Sequence, residues 1–143
     1  MAYDFGPGVF MKRKNHEPPE AVSRWGWRYH HIGIPTGERK RGECYIESLK
    51  IGVSGFATSP FGIEWMRFEK GSPVSDLVRT VPHVAFEVDD LEAALAGLGV
   101  GAEITSPSRG VRVAMIVRDG APVELIEFRR PALRKRRRRA SGR

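Results

Sequence analysis

The chain has one cysteine, Cys44, among 143 residues. No intramolecular disulfide is available, and a reducing, cytoplasmic location is expected. No apolar run approaches the roughly 20 residues that span a bilayer, so membrane insertion is not expected. The opening stretch MAYDFGPGVFMKRKNHEPPE lacks the apolar core of a secretory leader and carries glycine, proline and charge instead. Acidic residues are missing from one region altogether. Residues 129–143 hold nine of the 24 lysines and arginines and none of the 17 acids. The net charge of +7 therefore belongs to the end of the chain, since the remainder has 15 basic against 17 acidic residues. That remainder lacks the basic surplus of a nucleic-acid-binding body.

What is present suits one domain, or two small modules sharing a core, with 41% apolar and 29% charged residues. Residues 1–28 read as an irregular arm, broken by Gly6, Pro7, Gly8, Pro18 and Pro19, with a short helix over about 19–24. Trp25 and Trp27 are apolar anchors for it, and His16 reads as a solvated histidine. Residues 131–143 read as a disordered Arg-rich tail. The tail's functional reading is non-specific attraction to nucleic acid or to an anionic surface; the simpler reading is a solvated extension.

Between these ends the pattern is α+β and repeats. Residues 82–95, PHVAFEVDDLEAAL, read as a strand headed by His83, an aspartate cap at Asp89 or Asp90, and a helix burying Leu91, Ala94, Leu95 and Leu98. A short strand at 103–106, a turn at 106–110, a strand at 111–118, the Asp119-Gly120 hairpin signal and a strand at 121–128 complete a βαβββ order. The first half repeats it in shortened form. A strand over 28–35 carries His31, a short amphipathic helix carrying Cys44 is expected within 36–49, and strands follow at 50–56 and 61–68. His31 and Glu64 are 33 positions apart, against 41 for His83 and Glu124, so the first copy is expected to lack a short strand or a helical turn. The modules span about 29–72 and 81–130.

Two copies of a module pack with approximate two-fold symmetry, which brings equivalent strands together around a shared cleft. His31, Glu64, His83 and Glu124 then converge. Two imidazoles and two carboxylates suit one divalent transition metal (Zn, Ni, Co, Mn or Fe) with positions left for substrate. A lone strand histidine is more often a hydrogen-bonded core residue; its repetition with a glutamate favours the metal site. Gly33 and Ala85 leave room beside the histidines, and His30 is expected on the opposite face. Phe56, Phe61, Trp65 and Met66 are candidates for the pocket wall.

HIGIPT, PHVAFEVDDLEAAL and DGAPVELIEF together resemble the vicinal oxygen chelate superfamily, which includes glyoxalase I, methylmalonyl-CoA epimerase, extradiol dioxygenases and bleomycin-resistance proteins. The resemblance covers residues 29–130 and implies paired βαβββ modules forming a curved, open mixed sheet around a central cleft. It implies metal ligation by His31, Glu64, His83 and Glu124, and a small-molecule substrate. Two retained glutamates resemble the glyoxalase and epimerase branch. That branch implies an isomerase, epimerase or lyase that works through a metal-bound enediolate on a small hydroxy-carbonyl compound, with Glu64 or Glu124 as the catalytic base. The alternatives are a non-catalytic small-molecule binder of the bleomycin-resistance kind and a ring-cleaving dioxygenase. The superfamily also implies a homodimer.

Overall fold

The chain is described by a computed structural model over residues 16–129. The arm as far as residue 15 and the Arg-rich tail lie outside the described residues. A single eight-stranded sheet, strongly curled into an open half-barrel, forms the scaffold. Its strands are β1 (Arg28–Pro35), β2 (Cys44–Ile46), β3 (Ile51–Ser54), β4 (Ile63–Phe68), β5 (His83–Glu87), β6 (Ile104–Ser108), β7 (Val111–Arg118) and β8 (Ala121–Phe128). The spatial order is β2-β3-β4-β1-β5-β8-β7-β6. Each half places its last strand beside its first in parallel, and the two first strands meet antiparallel at the centre. The halves are thus related by a local two-fold through the β1–β5 pair.

The arm's described part forms α1 (Glu20–Ser23) and then carries Trp27 onto Phe86, with ring centroids 5.8 Å apart. The second half follows the expected order. Helix α3 (Leu91–Leu98) starts at Asp90, whose Oδ1 accepts a hydrogen bond from the Ala93 N–H at 2.9 Å, and ends at Gly99 in the left-handed region. Leu91 and Leu95 pack on Val88, Ala114, Ile116 and Leu125 in one buried hydrophobic cluster. Asp119 and Gly120 both have positive φ, the primed turn that matches the twist of a two-residue hairpin. Strand β6 runs on to Ser108, so its turn is shorter than the sequence suggests.

The first half departs from expectation. No α-helix forms within residues 36–49: Cys44 lies on the exposed edge strand β2, and Glu47–Leu49 make one 3₁₀ turn. Tyr45, Ile46 and Leu49 fit a helical period, but Gly42 and Lys50, both at positive φ, close the segment before a helix can propagate. Pairing with β3 wins, aided by Glu43, which accepts a two-pronged ion pair from Arg67 at 2.5 and 2.9 Å. The missing piece of the first module is therefore its helix, and all four of its strands are present. Helix α2 (Asp76–Thr80) sits in the connection between modules and buries Val78.

Candidate metal centre

Register brings the repeated residues to the two-fold axis. Across the central pair, His31 faces Ala85 and Gly33 faces His83. On the outer sides, Glu64 lies beside Gly33 and Glu124 beside Ala85. Period-two alternation aims all of these at one face of the sheet, while Leu125 and Phe86 turn to the α3 side.

Three of the four expected ligands form a tight triangle. His31 Nε2 and His83 Nε2 are 3.2 Å apart, and Glu124 Oε2 lies 3.2 Å from the first and 3.1 Å from the second. Both histidines are buried. Metal–ligand bonds of about 2.1 Å at tetrahedral or octahedral angles make ligand–ligand edges of about 3.0–3.4 Å. The triangle therefore fits the face of a coordination sphere. The donor set fits equally well: two ring nitrogens facing each other can share only one proton, whereas a cation satisfies both lone pairs and the carboxylate. Burial pushes the Glu124 carboxyl up, but hydrogen bonds from both imidazoles outweigh it and hold the group at about 2.

Glu64 stands apart. It lines the same cavity and is electrostatically coupled to His31, Glu124 and His83, yet it is not a member of the three-residue cluster. Its carboxylate makes no hydrogen bond or ion pair among the described residues. Burial is the largest influence on it and raises its pKa.

The two histidines are oriented by different means. His31 Nδ1 lies 2.7 Å from His30 Nδ1. His30 was expected on the opposite face, but Tyr29 pairs with Phe86 while His31 pairs with Ala85, so His30 is the extra residue of a β-bulge. The bulge turns its ring toward His31, stacked on Phe56 at 5.0 Å and tilted against Phe128 at 5.5 Å. Burial, then the neighbouring His31, lowers the His30 pKa. No sequence signal announces a bulge, and His30 is the residue that sequence reasoning misplaced. His83 Nδ1 has no hydrogen-bond partner among the described residues. Its ring instead occupies the space that Gly33 leaves open.

A cavity of about 550 Å³ extends from this floor, walled by Ile51, Val53, Met66, Phe68, Val113 and Met115. Of the expected wall residues only Met66 contributes. Phe56 packs on the two histidines of β1, Phe61 is exposed, and Trp65 lies under Lys40. Another cavity of about 570 Å³ lies between the Trp25–Trp27 segment and α3, away from the histidines. A second acidic group gathers Asp90, Glu92 and Glu127, of which Glu92 pairs with Arg112 and Glu127 with Arg112 and Arg129. His16 is exposed, and among the described residues no helix is long and apolar enough to cross a membrane.

The paired modules and the curled mixed sheet are consistent with a vicinal-oxygen-chelate-like fold, and the His/His/Glu cluster is a candidate metal site. Among solved structures the chain is similar to hypothetical protein BH1468 from Bacillus halodurans C-125, with a TM-score of 0.54 and 17% identity over 74% of this chain and 97% of that one. Identity at that level speaks for the fold alone. No family model and no curated protein matches the chain.

Proposed function

We propose that the protein is a metal-dependent enzyme that deprotonates a carbon beside a carbonyl, giving isomerisation, epimerisation or elimination in a small hydroxy-carbonyl compound. The observation that carries this reading is the division of labour between the two glutamates. Glu124 completes the three-donor cluster, while Glu64 lies in the same cavity without a hydrogen-bond or ion-pair partner among the described residues and with a raised pKa. His31, His83 and Glu124 would hold a divalent cation, which would supply positive charge to neighbouring oxygens of the substrate. Glu64 accepts the proton from the intervening C–H at its carboxylate and returns it. His30 holds His31 with Nε2 turned inward, and Gly33 gives His83 its place.

A specific observation favours a second reading. Two histidines and one carboxylate, with Glu64 outside the cluster, match the facial triad of non-haem iron oxygenases. A ring-cleaving dioxygenase would use that set on a catechol with O₂.

Elemental analysis of the full-length protein after loading with Zn(II), Mn(II) or Fe(II) is the first test, with about one metal per chain expected and loss in His83→Ala and Glu124→Ala. Proton exchange into α-hydroxyketones in D₂O is the second: Glu64→Gln should abolish exchange while keeping the metal. Oxygen uptake with catechols on the iron-loaded protein, unaffected by Glu64→Gln, would replace the first reading with the second. Absence of metal in the wild type would leave only a binding role.

A further inference from the structure

Charge is distributed unevenly around the cavity. Its wall is apolar, and the ionisable groups that line it are His31 and three carboxylates, Glu64, Glu103 and Glu124. Among the described residues no lysine or arginine lines it. Cations elsewhere on the sheet are already engaged: Arg67 with Glu43 and Glu69, Lys40 over the Trp65 ring, and Arg112 with Glu92 and Glu127. A carboxylate or phosphate carried on a substrate's body would meet no lysine or arginine among the described lining residues, while Glu64 and Glu103 add negative charge there. Burying an unpaired charge is among the costliest things a pocket can do, whereas the aliphatic and aromatic wall rewards apolar surface. The volume of about 550 Å³ lies within the range of small-ligand sites.

We infer that the cavity selects an uncharged compound in which two neighbouring oxygens carry an apolar aryl or alkyl body, and rejects carboxylated or phosphorylated analogues. The inference rests on the metal-site reading above, because the cation is what the two oxygens would meet. It holds for an acyloin, a 1,2-diketone or a catechol alike. It sets aside substrates delivered on anionic carriers such as glutathione or coenzyme A.

Hydroxamates test it, since each presents two neighbouring oxygens to a metal. The metal-loaded, full-length protein is titrated calorimetrically with benzohydroxamate, 4-carboxybenzohydroxamate and acetohydroxamate, with metal content measured on the same sample. Benzohydroxamate should bind at least tenfold more tightly than either of the others. Val53→Lys and Val113→Lys each place a cation in the wall; whichever retains the wild-type circular dichroism should narrow or reverse the preference against the carboxylated probe. Equal or tighter binding of 4-carboxybenzohydroxamate, or no binding of any probe to metal-loaded protein, overturns the inference and leaves the metal site standing. A sample that takes up no metal overturns the site reading itself, and the inference falls with it.

Discussion

The imidazole of His83 lies where a side chain on residue 33 would be. A Cβ added to Gly33 would stand 2.0 Å from Cε1 and 2.6 Å from Nδ1 of that ring. Gly33 has no positive φ, so its backbone is open to other residues and the requirement is steric. Gly33→Ala should keep the fold, cost about 1–3 kcal/mol through overpacking, and push His83 out of the cluster. Circular dichroism should be unchanged while bound metal falls well below one per chain.

His30 orients His31 through the 2.7 Å contact between their Nδ1 atoms. With a metal on Nε2 of His31, its Nδ1–H would donate and His30 Nδ1 would accept. Loss of such an outer partner costs about 10–100-fold in metal affinity. His30→Ala should show that loss in competition with a chelator, and His30→Asn, whose amide oxygen can accept, should recover part of it. Nitrogen-15 NMR of the histidines in zinc-loaded protein provides an independent reading: His31 should be bound through Nε2 with Nδ1–H in the wild type and show a mixture of states in His30→Ala.

Much of this was legible in the chain because local signals coincided with tertiary ones. Strands β1, β7 and β8 match their expected bounds, set by alternation and by the Asp119-Gly120 turn. The repeated histidine and glutamate pointed to the two-fold axis, and three of those side chains meet there. What stayed hidden depends on neighbours distant in sequence. The bulge at His30 exists only in the pairing of β1 with β5, and Tyr45, Ile46 and Leu49 have a spacing that serves a helix or a strand followed by a 3₁₀ turn. Glu64 and Glu124 occupy equivalent registers, yet only Glu124 reaches both imidazoles. The Gly33 and Ala85 difference, one carbon at equivalent places, is one of the points where the two-fold is broken.

The two glutamates should give opposite pH dependences in the metal-free protein. Glu124 has a folded pKa held at about 2, below the ordinary 4.5. Its stabilising contribution is complete above the ordinary value and is lost as pH falls toward the folded one. Glu64 is raised, so its contribution is complete below the ordinary value and is lost as pH rises through the folded one. Urea midpoints should show Glu124→Gln less stable than wild type near neutral pH, with the deficit shrinking in acid. Glu64→Gln should be more stable near neutral pH and lose its advantage in acid. Parallel profiles for the two variants would show that the carboxyls share one environment.

Glu127 is the buried carboxylate that fixes the covering helix to the sheet. Its Oε2 accepts from the Leu91 N–H at 3.0 Å and from Arg112 at 3.2 Å, while Oε1 accepts from Arg129 at 3.1 Å. Glu127→Ala would leave the first N–H of α3 buried without an acceptor and Arg112 with Glu92 alone. An unmet buried donor costs about 1–3 kcal/mol, well above an exposed ion pair. Glu127→Gln should cost less, since its amide oxygen still accepts from Leu91. The damage falls on the α3 side of the sheet, whereas Glu124, three residues earlier on β8, faces the cavity. Glu127→Ala should therefore lower the melting temperature by several degrees, as a loss of this size does in a small domain, and leave metal stoichiometry intact well below it. Loss of metal at temperatures where the variant is folded would mean that α3 docking sets the position of Glu124, and that helix and site form one mechanical unit.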